Sequence, residues 1–325
     1  MTRCALVLGS GGQDGRILSA QLLAQGMRVV GVDLAAAPRA EGVEPFSIDL
    51  SDRALVHALV QREQPAEVYY LAAFHHASEQ REQVDVGHLF RQSFAINVDG
   101  LLSTLEALRA HAPQARLFYA ASSHVFGAPT ASPQNEETEL RPQSPYAVSK
   151  CAGMGVCRVM REQHHMFAVS GVLYNHESSL RSRDFVSAKI AHAAADVARA
   201  LHDGLEPPIL ELASLDSMVD WSAAEDITRA MQAMLRAPAP RDYVVGSGVL
   251  HSVRDFCRIA FDELGLPWER YVRVRPVRDG VVAPPNASSR PLLVADASRL
   301  GYDTGWVPQV SFDNLCRRLV RENMS

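Results

Sequence analysis

The sequence predicts an α/β fold: a doubly wound parallel sheet followed by a smaller C-terminal lobe. Three observations carry this. An apolar run, Ala5 to Leu8, stops at the turn Gly9-Ser10-Gly11-Gly12-Gln13-Asp14-Gly15, and a helix-like pattern comes next. Through the first half of the chain, short apolar runs alternate with helical stretches, as in a parallel sheet covered on both faces. After about residue 175 that alternation is lost. A glycine turn between a first strand and a helix lets backbone approach a dinucleotide pyrophosphate, and the free N–H groups of the first helical turn face its charge. The combination is that of a Rossmann-type sheet.

The expected strands are Cys4–Leu8, Arg28–Val32, Pro45–Ile48, Glu67–Ala72, Arg116–Ala121 and Ala168–Leu173. Between them, Gly15–Gln25, Asp52–Arg62 and Val86–Ala110 read as helices, with Ser51 as N-cap of the second. Pro145–His164 is a further helix carrying Tyr146 and Lys150. Beyond it, Arg183–Leu201, Asp226–Arg236 and Ser252–Leu264 read as helices. Pro207–Leu212, Tyr243–Val245 and Arg270–Pro276 read as short strands, and Arg278–Ser289, with Gly280, Pro284 and Pro285, as a loop. Asn135-Glu136-Glu137 reads as surface loop.

A chain of 325 residues, 47% hydrophobic and 21% charged, can bury a large core. Its net charge of −5 gives no basic footprint for nucleic acid. No run of 18 apolar residues is present, so no membrane span is expected. A strand starts almost at once, so no signal peptide is expected. The five scattered cysteines form no C-x-x-C pair. Reduced thiols in the cytoplasm are expected, with no disulfide frame and no metal site.

Ligands of such sheets sit at the carboxyl ends of the strands. Gly9, Gly12, Gln13, Asp14 and Gly15 form the turn. Asp33 ends the second strand, where a carboxylate accepts from the ribose hydroxyls of NAD and repels the extra phosphate of NADP. Asp49 and Leu50 come after the third strand, next to the expected adenine position. Leu71, Ala72 and Ala73 end the fourth, with small residues where backbone passes a cofactor.

Tyr146 and Lys150 stand four apart, on one helix face. A free tyrosine has a pKa near 10, so work as a base at pH 7 needs roughly 4 kcal/mol of differential stabilisation. A lysine about 6 Å away supplies roughly 2.8 kcal/mol at an effective dielectric of about 20. The positive nicotinamide ring would supply the rest. Tyr146 would then take an alcohol proton, with Ser122, at the end of the fifth strand, on the same substrate oxygen.

These residues resemble the extended short-chain dehydrogenase/reductase family, and within it the GDP-mannose 4,6-dehydratases. The carrying stretches are the glycine turn, Tyr70-Leu71-Ala72-Ala73, Arg141-Pro142-Gln143-Ser144-Pro145-Tyr146-Ala147-Val148-Ser149-Lys150 and Leu173-Tyr174-Asn175-His176-Glu177-Ser178. Leu215-Asp216-Ser217-Met218-Val219-Asp220-Trp221 and Gly246-Ser247-Gly248 extend the likeness over nearly the whole chain. The resemblance implies a cycle on a nucleotide-linked hexose: oxidation at C4, loss of water across C5 and C6, and return of the hydride at C6. It implies a catalytic set of Ser122, Tyr146 and Lys150 and a cofactor role for His176. Asn175 and Lys189 would contact the nucleotide-sugar. His76 either faces substrate or packs, Arg290 is a candidate phosphate contact, and Glu177 either lends a carboxylate to the site or starts a helix. Residues 1–175 would bind the cofactor and 176–325 mainly the substrate, with some chain returning to the sheet.

Four departures stand out. The dehydratases' glutamate two residues after the Ser/Thr is His124 here, which either shuttles protons, in elimination or in epimerisation, or is inert. The arginine before Asp-Trp is Val219, and two further basic positions are Leu180 and Ala188. Either Lys189, Arg181, Arg183 and Arg290 compensate, or the leaving half of the substrate differs. Asp33 selects NAD where the branch favours NADP. The short segment Leu34–Glu44 favours a homodimer, paired through Val86–Ala110 and Pro145–His164, over a tetramer. Three functions are open: a 4,6-dehydratase, a 4-keto-sugar epimerase or reductase using His124, or a non-enzymatic dinucleotide sensor. The intact Ser122, Tyr146 and Lys150 argue against the sensor.

Overall fold

The first strand, β1 (Cys4–Leu8), is buried along its whole length, and its side chains alternate between two cores. The computed structural model describes residues 3–34, 37, 39–74, 85–275 and 292–324. Around β1 lie α1 (Gln13–Ala24), β2 (Arg28–Asp33), β3 (Glu44–Ser47), α2 (Arg53–Glu63) and β4 (Glu67–Tyr70). Next come α3 (Val86–Phe94), a π-helical turn (Ala95–Gly100), α4 (Leu101–His111), β5 (Arg116–Ser122) and a 3₁₀ turn (Ser123–Phe126). The half closes with α5 (Pro145–His164) and β6 (Phe167–Leu173). All strands pair in parallel, and a seventh, β10 (Asp242–Val245), joins β6 to give the order β10-β6-β5-β4-β1-β2-β3.

Leu6 and Leu8 face a core shared with Val56 and Leu59 of α2, Leu105 of α4 and Met154 of α5. Ala5 and Val7 face the other core, with Leu18 and Leu22 of α1 and with Ile227 and Met231 of α7 (Ala224–Arg236). A strand alternates its side chains, so a parallel strand flanked by helices on both faces must be apolar throughout. That is why Cys4 to Leu8 reads as an unbroken run.

The second lobe has its own core. It packs α6 (Val186–His202), α8 (Val253–Asp262) and α10 (Phe312–Met324) around Trp221, which stacks on Phe312 at 5.6 Å between ring centroids. Its sheets are small. β7 (Asn175–Glu177), β9 (Met218–Ala223) and β11 (Leu250–Ser252) form one; β8 (Leu210–Leu212) and β12 (Val272–Val274) form another. A short helix, α9 (Ser298–Thr304), returns to the main sheet through Leu300. Among the described residues no helix is long and apolar enough to cross a membrane.

Several sequence expectations shift. The cap of α2 is Asp52, whose carboxylate accepts from Leu55 N at 3.1 Å, while the Ser51 N–H goes to Asp49. The expected helix Val86–Ala110 is broken by its π turn, β4 stops at Tyr70, and α1 starts at Gln13, two residues early. Glu136 is not a surface carboxylate: its side chain is buried and accepts from the N–H of Val244 at 2.7 Å. β7, β9, β11, α9 and α10 have no counterpart among the elements expected from sequence. The loop Arg278–Ser289 lies outside the described residues.

Candidate active site

The glycine turn closes against the start of the segment after β4. Gly9 has φ +91°, a left-handed value, and a Cβ there would lie 2.6 Å from Ala72 N. Gly15 is equally confined, since its Cβ would lie 2.3 Å from the carbonyl oxygen of Gly9. Gly12, the N-cap of α1, is different: a Cβ there meets only that same oxygen, at 3.6 Å. The first and last glycines serve packing. The middle one leaves space in front of the helix N-terminus, which fits a pyrophosphate. Leu71 and Ala72 both donate their N–H to the Leu8 carbonyl at 2.8 Å, which draws the Leu71–Ala73 backbone to the same edge.

Asp33 ends β2 beside this turn and accepts from Gly11 N and Leu34 N, each at 2.8 Å. Its carboxylate is thereby held at the rim of the space that Gly12 leaves. Asp49 is exposed beyond β3, and the N–H of Ser51 keeps its carboxyl below the usual range; Leu50 beside it is buried. A charged carboxylate at the end of β2, an open helix N-terminus and small residues after β4 together fit a dinucleotide.

Tyr146 and Lys150 occupy the first turns of α5, which Ser144 caps by accepting from Ala147 N at 3.2 Å. The hydroxyls of Ser122 and Tyr146 are hydrogen-bonded to each other. Lys150 is fully buried and donates Nζ to the carbonyl of Ala120 at 2.8 Å, with the Tyr146 ring 5.6 Å away. Burial pushes the phenol up to about 12 and the lysine down to about 7. This differs from the sequence expectation: the protein by itself does not make the phenol acidic, because burial disfavours both charged forms. The groups that favour the phenolate are the Ser122 hydroxyl and the cation of Arg181.

His124 sits on the 3₁₀ turn and meets the Tyr146 ring edge-on, 6.1 Å between centroids. It is exposed to solvent, yet the protein around it partly desolvates the ring and lowers its pKa. At neutral pH it is the free imidazole, able to accept a proton.

The other wall is β7. Asn175 is exposed, two residues beyond Leu173, the β6 partner of Ser122. His176 bonds to Asp14 Oδ2 through Nε2 at 2.9 Å and to the Tyr174 carbonyl through Nδ1 at 2.7 Å. Gln13 donates to the His176 carbonyl at 3.1 Å and accepts from Ser178 Oγ at 2.9 Å. Gln13, Asp14 and His176, grouped by sequence as cofactor residues, thus clasp the glycine turn to the second lobe. Glu177 is buried, accepts from Ser187 Oγ at 2.7 Å and lies 3.5 Å from Arg181 Nε, so it anchors the start of α6. Lys189 lies on α6, partly exposed. His76 and Arg290 lie outside the described residues.

Sequence reasoning assigned no role to Asn97 and Asp220. Asn97, buried in the π turn, donates to Ser149 Oγ at 2.9 Å, and its carbonyl accepts from Tyr119 Oη at 3.0 Å. Asp220, also buried, accepts from Ser247 N at 2.9 Å, Gly248 N at 3.0 Å and Ala295 N at 2.9 Å. A helical period hides the first. The second lies in the stretch Val219-Asp220-Trp221 without a local signal of its task.

The chain resembles known proteins over nearly its whole length. The sequence profile of the GDP-mannose 4,6 dehydratase family matches residues 6–319. GDP-mannose 4,6 dehydratase 2 of Arabidopsis thaliana is 32% identical over 99% of the chain and 87% of its own length. GDP-mannose 4,6 dehydratase of Drosophila melanogaster is 31% identical over 99% and 86%. Among solved structures, RMD from Pseudomonas aeruginosa complexed with NADPH superposes with TM-score 0.78 at 24% identity, covering 99% of each chain. UDP-glucose 4-epimerase of Thermus thermophilus complexed with NAD gives 0.75 at 25%, covering 98% of each.

Proposed function

The chain belongs to the GDP-mannose 4,6 dehydratase family, and on that premise we propose that it is an NAD-dependent nucleotide-sugar 4,6-dehydratase acting on a GDP-mannose-type substrate. The observation that carries the reading is the grouping of Ser122, Tyr146, Lys150 and His124 at the carboxyl end of the sheet, beside the glycine turn. NAD, held by the glycine turn and Asp33, would supply a hydride acceptor for the C4 oxidation and a hydride donor for the return at C6, with no net change of the cofactor.

The side chains handle the protons. Tyr146 Oη takes the proton of the C4 hydroxyl while Ser122 Oγ orients that oxygen. Lys150, held by the Ala120 carbonyl with a pKa of about 7, lends positive charge as the phenolate forms. The C4 ketone acidifies C5. His124 accepts the C5 proton at a ring nitrogen and gives it to the departing C6 hydroxyl, which leaves as water. The proton taken at Tyr146 balances the one that C5 regains. Asn175 and Lys189 contact the nucleotide-sugar, with His76 and Arg290 as further contacts. Residues 1–175 hold the cofactor and 176–325 mainly the substrate.

Asp33 supports NAD over NADP, since its carboxylate repels a 2′-phosphate. His124 in place of the dehydratases' glutamate supports a second reading, epimerisation of the 4-keto sugar. Incubation with GDP-mannose and NAD⁺ in D₂O separates the two. A 4-keto-6-deoxy product with deuterium at C5 supports dehydration; deuterium at C5 with the C6 hydroxyl retained supports epimerisation. No change in any nucleotide hexose would remove the enzymatic reading.

A homodimer is the proposed assembly. Phe90 of α3, Leu102 of α4 and Val159 of α5 are exposed apolar residues on the helices expected to pair; light scattering at the mass of a monomer would end that proposal. The cytoplasm is the proposed location, supported by five free cysteines, four of them buried.

A further inference from the structure

We propose that His176 is a positioning residue for the reaction: as an imidazolium it holds the Asp14 carboxylate in a pair of zero net charge, so that the phenol of Tyr146 can give up its proton without facing a bare anion. The inference rests on the reading of Tyr146 as the base.

The hydrogen bonds decide the charge of the pair. His176 Nδ1 lies 2.7 Å from the Tyr174 carbonyl oxygen, which can only accept. Nε2 lies 2.9 Å from Asp14 Oδ2, which accepts when ionised. Both ring nitrogens therefore donate, and a ring that donates from both is charged. Asp14 also accepts from Gln13 Nε2 at 3.1 Å, which keeps it ionised. The pair is well shielded, with 12% of the His176 side chain and 20% of the Asp14 side chain exposed. In that environment its net charge is felt at short range with little screening.

The Tyr146 phenol feels the Asp14 charge. The fold brings the two together through Ser122, which is hydrogen-bonded to that phenol and paired with Leu173 of β6; Tyr174, whose carbonyl takes His176, is the next residue along the chain. The charged and titratable groups around the phenol come from every element that packs there. Asp14 belongs to α1, Tyr119 to β5, His124 to the 3₁₀ turn, Lys150 to α5, His176 and Glu177 to β7, and Arg181 to the turn before α6. The Asp14 charge opposes a phenolate at Tyr146 and Arg181 favours it. Arg181 is shared with Glu177, 3.5 Å away, and rests on the Phe185 ring at 3.5 Å, so it cannot also neutralise Asp14 in full. His176 does so. Burial works against the imidazolium, yet the Asp14 charge and hydrogen bond hold the ring above its ordinary pKa.

Two readouts test this in the full-length protein. Long-range ¹H–¹⁵N NMR follows the His176 ring. It should titrate above the ordinary histidine pKa in the wild type and at lower pH in Asp14→Asn. The second is the pH profile of kcat for C4 oxidation. Its acid limb should move up by about one pH unit, a tenfold change in proton affinity, in His176→Gln, where the carboxylate stands alone. In the double variant Asp14→Asn/His176→Gln, which restores an uncharged pair, the limb should return to near the wild-type position. A purely structural role predicts that the double variant is the worst of the three. An imidazole that titrates as in a free peptide, or an acid limb unmoved in His176→Gln, overturns the proposal. Should no nucleotide hexose be turned over, the reading of Tyr146 as base falls, and the NMR titration still decides whether the pair is neutral overall.

Discussion

Asn97 donates its side-chain amide to Ser149 Oγ at 2.9 Å, and Ser149 Oγ in turn donates to the Tyr146 carbonyl at 2.7 Å. The π turn is thereby tied to the helix segment between the tyrosine and the lysine. A π turn places one extra residue in a helical ladder and re-aims the side chains around it. Here it turns a buried amide toward α5. Asn97→Ala should leave Ser149 and the Phe74 N–H short of a partner and destabilise the fold by about 1–3 kcal/mol. Its kcat should fall more than its KM changes, which denaturant titration and steady-state kinetics would establish.

The glycines of the turn should separate by role. Gly9→Ala combines a left-handed φ with a close approach to Ala72 and should lose about 2–5 kcal/mol of stability. Gly12→Ala should fold normally but bind NAD about tenfold more weakly or worse, a change of at least about 1.4 kcal/mol. Melting curves paired with fluorescence titration of cofactor give both numbers. Equal melting points for the two variants would contradict the assignment.

Asp33 should control the choice of cofactor. Asp33→Asn keeps an acceptor for Gly11 N and removes the charge. The loss of charge-assisted bonds to a ribose is about 1.5–3 kcal/mol. The preference for NAD over NADP should drop by roughly 10- to 100-fold, measured as a ratio of dissociation constants.

For His124, the expected result is asymmetric. His124→Ala should lower turnover by roughly 10²–10⁴-fold with little change in substrate affinity, as for loss of a general acid or base. His124→Glu should keep or raise the yield of the dehydrated sugar at the expense of any epimer. Product analysis by NMR checks both, and unchanged turnover in His124→Ala would take this ring out of the mechanism.

The clasp between Asp14 and His176 also sets a pH dependence of stability. The His176 pKa is raised above 6.5 in the fold, so its contribution is complete below pH 6.5 and is lost as pH rises through the folded value. Asp14 is lowered below 3.8, so its contribution is present above pH 3.8 and is lost as pH falls through the folded value. The stability difference between wild type and His176→Gln, about 1–3 kcal/mol, should therefore be largest between these values and shrink at alkaline pH. Urea unfolding of both proteins across pH 4–9 would reveal a flat difference if the ring were neutral throughout.

Much of the molecule was legible from residue order alone. The glycine turn, the unbroken apolar runs and the Tyr146–Lys150 spacing are local patterns with local causes: sterics at Gly9, two-sided burial of β1, and one turn of α5. The family and the parallel sheet could be read from them. The second lobe was far less legible. β7, β9 and β11 have three to six residues each, too few for a period to register, and they exist because distant segments supply their partners. The same holds for the site's electrostatics. Nothing in the order of residues says that His176 meets Asp14, 162 positions away, that Glu177 turns inward to Ser187, or that burial pushes the Tyr146 phenol up and the Lys150 amine down. Those outcomes depend on which groups are brought within a few ångströms in a water-poor space, where Coulomb and desolvation energies are decided by distance and enclosure rather than by sequence separation.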